Sequence, residues 1–252
     1  LPSETFADSE IEFLKKQAER IQPNKAVVFE TGKMPFREGR AIALTPAGPH
    51  PRLHVPDSPM LPKGDFTLEA IVMLRSVFDD GTVRTIAAHW NGDQKKPGWS
   101  LGVTSKKSAY KPQVLVLQLW GENAKGKFDY EPVFSALHID LNKPYYVGVA
   151  VDLNNAGENG VTFYAKDLSN DEEPLQKDQA FHKIVKIPPA AGRFTIGGPD
   201  GKLARTWDGL IDDVRLSAAA LRENQLLLTS DRALKETVGF WQFETNPGML
   251  QD

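Results

Sequence analysis

The stretch FTLEAIVMLR, residues 66–75, decides the fold of this chain. The side chains at its alternate positions are all apolar: Phe66, Leu68, Ala70, Val72 and Leu74. A strand shows this period because successive side chains point to opposite faces of a sheet, whereas a helix repeats every 3.6 residues. The stretch therefore predicts a long strand with one face in a hydrophobic core.

Other segments with strand character lie along the whole chain, and polar turns separate nearly all of them. They are AVVFE (26–30), RAIAL (40–44), RLHV (52–55), VRTIAAHW (83–90), GWSLGVT (98–104), QVLVLQLW (113–120), VFSALHI (133–139), YYVGVAVD (145–152), VTFYAKD (161–167), HKIVKI (182–187), RFTIGG (193–198) and VGFWQFE (238–244). Many short strands without alternating helices predict an all-β, two-sheet antiparallel jelly-roll sandwich. The expected core includes Phe66, Leu68, Val72, Trp99, Leu101, Leu117, Val149, Val151, Phe163, Ile196, Val214 and Leu216.

Two short helices are predicted beside the strands. Ser9 and Glu12 form a capping box for a helix over residues 9–22, where apolar side chains recur at helical spacing. We expect this helix to dock through Ile11, Leu14 and Ile21. Ser217 is the expected cap of a second helix, SAAALRENQLLL, at 217–228. The chain is thus divided into an N-terminal helical segment, residues 1–24, packed on a jelly-roll domain, residues 25–252.

The overall composition narrows the choice of partners. A formal net charge of −3 gives no electrostatic support for binding nucleic acid. No apolar run approaches the roughly 20 residues that a membrane-spanning helix needs. The absence of cysteine excludes disulfides and thiolate metal sites. The first residues, LPSETFADSE, do not have the basic and apolar regions of a signal peptide.

Three stretches stand out in order along the chain: VPDSPMLPKGDFTLEAIVML (55–74), GWSLGV (98–103) and WDGLIDDVRLSAAALRENQL (207–226). Together they resemble the markers of concanavalin A-like, laminin-G-like jelly-roll domains, across about residues 25–228. The resemblance implies the sandwich fold and a module of a larger exported bacterial protein, in the periplasm or outside the cell. It does not imply one function, because this fold carries lectins, glycosidases and adhesion modules.

The closing stretch contains three aspartates, Asp208, Asp212 and Asp213. Whether they are catalytic or structural decides whether the chain is an enzyme or a binding module. Strict alternation places Asp213 beside Arg215 on one face, and Asp212 on the other face with Leu210 and Val214. Buried carboxylates are usually paired structural groups. We therefore interpret Asp212 and Asp213 as structural acidic residues, and calcium binding or catalysis as the alternatives.

No catalytic residue is predicted. The resemblance implies that a glycosidase of this fold carries carboxylates as Glu-x-Asp-x-Glu on one strand, and this chain has no such pattern. Asp208 and Asp212 would lie roughly 13 Å apart along a strand, which is too far for the roughly 5 Å of a retaining pair. No Gly-x-Ser-x-Gly elbow occurs, and the five histidines lack metal-binding spacing.

No cofactor is predicted, and calcium is the one metal to consider. The loop DLNNAGENG, residues 152–160, offers oxygen ligands on Asp152, Asn154 and Glu158. The same residue types also favour an ordinary turn, which is the preferred interpretation.

Sugar binding requires an exposed aromatic ring beside polar side chains. Trp90, Trp120 and Trp207 lie at predicted strand ends, and Asn91 and Asp93 follow Trp90. These five residues are the candidate ligand-binding set. Trp99 and Trp241 lie within apolar strand patterns and are expected in the core.

The first functional hypothesis is a non-catalytic module that binds a carbohydrate or a protein ligand. The second is a glycoside hydrolase or lyase with an atypical site on the concave sheet. The third is an architectural spacer domain. The sequence does not predict an oligomeric state.

Overall fold

The computed structural model describes residues 30–35, 39–45, 52–157, 159–201, 204–229 and 234–244. The predicted helix at 9–22 and its three docking residues lie outside these ranges. The described strands are β1 (Glu30–Gly32), β2 (Ala41–Leu44), β3 (Leu53–His54), β4 (Phe66–Leu74), β5 (Arg84–His89), β6 (Gly98–Val103), β7 (Val114–Asn123), β8 (Phe128–His138), β9 (Pro144–Val151), β10 (Val161–Asp167), β11 (Gln176–Ala180), β12 (Ile184–Lys186), β13 (Phe194–Ile196), β14 (Gly209–Ser217) and β15 (Thr237–Trp241).

The strands form two antiparallel sheets. The eight-stranded sheet has the order β1-β2-β14-β4-β9-β10-β11, with β15 also paired to β14. The seven-stranded sheet has the order β12-β7-β6-β5-β13-β3, with β8 paired to β7. The predicted all-β, two-sheet sandwich is confirmed.

The main core lies between the two sheets and holds every residue that the sequence placed there. FTLEAIVML forms β4 in the register expected from its period, with Phe66, Leu68 and Val72 pointing inward. The predicted core positions of Trp99 and Trp241 are confirmed. Burial of β4 goes further than the sequence indicated, because the side chains on its outer face are buried as well.

A β-bulge in β14 corrects the predicted faces of the closing stretch. Asp212 pairs with Ile71 and Arg215 with Glu69, so three steps along β14 oppose two along β4. Asp213 takes a left-handed conformation with φ of 46°, which aspartate tolerates better than most residues. The bulge shifts the alternation, and Ile211 and Val214 therefore both face the main core.

The chain after β14 covers the outer face of the eight-stranded sheet. Leu221 and Leu226 pack there on Tyr146 and Tyr164, forming a second small core. The predicted helix at 217–228 is wrong in extent, because Ser217 still belongs to β14 and only Glu223–Gln225 forms a 3-10 helix.

Tertiary hydrogen bonds explain why this segment does not form a longer helix. The backbone N–H of Leu221 donates to the Thr67 hydroxyl at 2.8 Å. The N–H of Leu227 donates to Oε1 of Glu69 at 2.7 Å. In a longer helix these two N–H groups would bond to carbonyl groups of the helix itself. Here they bond to side chains of β4 instead.

A buried ion pair joins β4, β14 and the covering segment. Glu69 and Arg215 are both fully buried, and the Nε and Nη2 atoms of Arg215 lie 2.7 and 2.6 Å from Oε2 of Glu69. The Tyr146 hydroxyl donates to Oε1 at 2.7 Å, and Nη2 of Arg215 also donates to the carbonyl of Gln225. Burial and the Glu69 carboxylate hold the pKa of Tyr146 well above its usual value, so the phenol keeps its proton.

Arg215→Met is expected to lower the free energy of unfolding by about 3–5 kcal/mol, because it leaves the Glu69 charge buried without its cation. Urea denaturation of both proteins measures the loss. Lys106→Met is the matched control, since Lys106 pairs with Asp79 at the surface and its loss is expected to change little. Equal stability of the two variants would contradict the structural role of the buried pair.

Candidate functional site

The outer face of the seven-stranded sheet carries the aromatic surface of the described protein. Alternate leucines of β7 point into the main core, so Gln118 and Trp120 lie on the outer face. The register places Tyr130 of β8 opposite Trp120, and Phe134 opposite Val116. Side chains of both strands therefore meet on this face.

The predicted exposure of three tryptophans is wrong, since Trp90, Trp120 and Trp207 are all fully buried. The rings of Trp90 and Trp120 stack face to face, with centroids 3.8 Å apart and planes within 11°. Trp207 packs in the main core, and its indole N–H donates to the carbonyl of Leu210. A strand-end position thus does not expose a ring when a neighbouring ring and loop cover it.

The loop after β5 supplies partners for the two stacked indoles. The N–H of Trp90 donates to the carbonyl of Asp93 at 2.9 Å, and that of Trp120 to Oε1 of Gln94 at 3.1 Å. The side chain of Asn91 accepts the backbone N–H of Asp93. In the structure, Asn91 and Asp93 thus shape a turn beneath the rings.

Arg205, Gln118 and Tyr130 form a polar link around the stack. The Arg205 guanidinium lies 5.6 Å from the centroid of the Trp90 ring, and the Tyr130 ring lies 5.0 Å from Trp120. Gln118 donates to the Tyr130 hydroxyl at 2.7 Å and accepts from Arg205 at 3.5 Å. Burial raises the pKa of Tyr130, although the hydrogen bond from Gln118 and the Arg205 charge act in the opposite direction.

A set of three exposed rings and one half-buried ring flanks this buried stack. We call it the aromatic row, and it consists of Tyr110, Phe128, Tyr130 and Phe134. Tyr110 is 47% exposed, Tyr130 39% and Phe128 37%, and the Tyr110 ring stacks on Phe134 at 5.4 Å. At about 3.3 Å per residue, Phe128 and Phe134 are separated by roughly 20 Å along β8.

Sequence reasoning missed the aromatic row because it began this strand at Val133. The pattern FDYEPVF, residues 128–134, already has ring or proline side chains at every second position. Pro132 and the charged Asp129 and Glu131 concealed the strand, although proline is accepted in edge strands. In the structure β8 pairs with β7 and begins at Phe128.

The predicted calcium ligands form a turn in the structure. Oδ1 of Asp152 accepts the backbone N–H groups of Asn154 and Asn155, at 3.1 and 3.2 Å. The side-chain amide of Asn154 points to Asp65. Glu158 lies outside the described residues. Within the ranges that the structure describes, no group of three or more His, Asp or Glu side chains could hold a metal ion.

Asp212 and Asp213 are both buried at the bulge of β14. Oδ1 of Asp212 accepts the backbone N–H of Asp213 at 2.9 Å. The ion pair of Arg215 with Glu69 shows that this arginine ties β14 to β4, across the sheet. The structural interpretation of the two aspartates remains a prediction.

Comparison with solved structures places this fold among known ones. The chain is similar to the enzymatically active domain of tailspike protein 2 of bacteriophage CBA120, with a TM-score of 0.60, 11% identity, and coverage of 87% of this chain and 32% of that one. It is also similar to a Bacteroides ovatus protein that is named as a carbohydrate-binding protein. The TM-score is 0.50 at 17% identity, and the match covers 77% of this chain and 49% of that one. The fold is a two-sheet antiparallel jelly-roll sandwich.

These likenesses establish the jelly-roll fold alone, because the identities are low. The chain spans about a third of the tailspike chain and about half of the Bacteroides ovatus chain. No protein-family model and no curated protein matches the sequence. None of the helices in the described ranges is long and apolar enough to cross a membrane.

Asp152→Ala is expected to lower the melting temperature equally with added calcium and with excess chelator, because the carboxylate serves as an acceptor for turn N–H groups. Thermal melts of the wild type and the variant under both conditions measure this. Chelator that destabilised the wild type to the level of the variant would instead establish a calcium site.

Proposed function

We propose that this jelly roll is a non-catalytic module that binds an extended saccharide chain along the aromatic row. The main observation in support of this proposal is the set of partly exposed rings at alternate positions of β8, beside the buried Trp90–Trp120 stack. Partly exposed aromatic rings offer apolar faces on which the C–H faces of sugar rings can pack.

The shape of the surface favours a chain over a compact ligand. The rings extend for roughly 20 Å along one strand, as its rise per residue requires. Polar groups flank them: Lys111 lies 5.3 Å from the centroid of the Tyr110 ring, and Glu122, which is opposite Phe128 in the sheet register, pairs with Lys186. Such groups supply hydrogen bonds to sugar hydroxyls at the edges of the row.

The buried stack is expected to hold the row in a fixed shape. Tyr130 packs on Trp120 and accepts a hydrogen bond from Gln118, so its ring has little freedom to reorient. A surface that is ordered before binding loses less conformational entropy when the ligand arrives. The proposed binding therefore requires no rearrangement of these side chains.

We further propose that the module works within a larger exported protein, in the periplasm or outside the cell. The similarity to parts of two longer proteins supports the first part of this proposal, that the module belongs to a larger protein. The name of the Bacteroides ovatus protein is consistent with a carbohydrate as the ligand.

Tyr130→Ala and Phe134→Ala are each expected to weaken saccharide binding by about tenfold, because each removes a stacking ring. Affinity electrophoresis through gels with soluble polysaccharides measures the change, after a glycan array has selected the ligand. Tyr130→Phe keeps the ring and is expected to retain most of the affinity.

Phe181→Ala is the comparison variant, because Phe181 is 59% exposed, follows β11 of the other sheet and is not one of the four rings of the row. It is expected to bind as the wild type does. Equal retardation of all variants would reject the aromatic row as the binding surface. A blank glycan array together with capture of a defined protein ligand would reject the saccharide.

A further inference from the structure

A cleft of about 370 Å³ opens at one end of the sandwich, between residues 57–64 and residues 187–190. Its inner wall is the stacked pair Phe66 and Trp99, whose ring centroids lie 4.5 Å apart. Both rings belong to the main core, so the cleft is separate from the aromatic row on the outer face. Concave sites of about 300–1,000 Å³ with a few polar groups are typical for small ligands.

His89 provides the buried polar group of the cleft. It is the last residue of β5, and the register places it between Trp99 on β6 and Phe194 on β13. The residue is only 8% exposed, its ring nitrogens are not among the fully enclosed atoms that lack a partner, and the side chain lines the cleft. A ligand hydroxyl that bonds to this largely buried imidazole does so at a site of low exposure, where a hydrogen bond is stronger than in open solvent.

The chemistry of His89 indicates what kind of group it bonds. Burial lowers the pKa of the imidazole, although the Asp57 carboxylate acts in the opposite direction. A neutral imidazole has one donor and one acceptor nitrogen, which suits ligand hydroxyls because a hydroxyl can both donate and accept. A purely apolar ligand would offer neither nitrogen a hydrogen bond.

The rest of the lining also suits a ring with several hydroxyls. Asp57, Ser58 and Lys63 add charged and hydroxyl groups near the mouth, whereas Leu61 and Ile187 contribute apolar surface. A sugar unit has apolar C–H faces and a polar edge, and both match this lining. Because Phe66 and Trp99 close the inner end, a saccharide chain can enter but cannot pass through.

We propose that this cleft binds the terminal unit of a saccharide, with hydroxyls bonded to His89 and ring C–H groups packed on the apolar wall. The site goes beyond the proposed function, because a chain end can bind here whether or not the aromatic row binds the middle of a chain.

Indole N–H signals in ¹H–¹⁵N spectra distinguish the two sites. The chain has five tryptophans, of which Trp99 lines the cleft and Trp120 supports the aromatic row. Trp99→Phe and Trp120→Phe identify their signals. The probes are methyl glycosides of neutral hexoses, N-acetylhexosamines and uronic acids, each titrated to high millimolar concentration.

At least one probe is expected to shift the Trp99 signal saturably and to leave the Trp120 signal in place. His89→Ala is expected to weaken this response by about tenfold. His138→Ala, at an exposed histidine outside the cleft, is the control and is expected to change nothing. Ala190→Trp fills the mouth without removing a core side chain and is expected to abolish the response.

The absence of any Trp99 shift in the wild type overturns the proposal, and so does an equal shift in the folded His89→Ala and Ala190→Trp proteins. Thermal melts establish that each variant is folded. Failure of the aromatic-row proposal would appear elsewhere, as a Trp120 signal that oligosaccharides leave unchanged.

Discussion

The buried ion pair between Glu69 and Arg215 is the interaction on which the arrangement of the sandwich depends. Both side chains are fully buried on the outer side of the eight-stranded sheet. Charges in such a place are tolerated only when they are paired and hydrogen-bonded. Here Arg215, Tyr146 and the backbone of Leu227 all donate to the Glu69 carboxylate.

One consequence is that the two outer faces of the sandwich differ. The ion pair holds the segment after β14 over the eight-stranded sheet, where Leu221 and Leu226 complete a second core. That face is occupied by the protein itself. The seven-stranded sheet keeps an outer face with the exposed rings of β8, which is why we place the ligand there.

The aromatic surface combines a buried support with an exposed layer. Trp90 and Trp120 stack out of contact with solvent, and Tyr130 extends the stack to the surface. The tryptophans that suggested a direct sugar contact thus act beneath the surface in the structure. Rings that are packed from below can present a stable shape to a ligand.

The period of FTLEAIVMLR was sufficient to predict β4, its register and its inward side chains, because burial of one face allows only one register. Periodicity did not predict the stack of Trp90 on Trp120, since it assigns a side chain to a face and not to a neighbour. It also failed at Asp213, where an extra residue in β14 exchanges the faces. A strict period cannot represent a bulge.

The start of β8 was missed for a different reason. Local propensity opposed it, because proline and acidic residues are disfavoured in strands. In the structure β8 is paired with β7 from Phe128 onward, and this tertiary pairing outweighs propensity. The same principle explains the segment after β14, where contacts with Glu69 and Thr67 replace the expected helix.

The central claim is that the ligand binds the outer face of the seven-stranded sheet while the opposite face stays closed. Hydrogen–deuterium exchange with and without a bound oligosaccharide tests it most directly. The account predicts slower exchange at residues 110–134, on both strands of the β7–β8 hairpin, and no change at 218–229. Protection confined to 218–229 and to the strands beneath it would contradict the account.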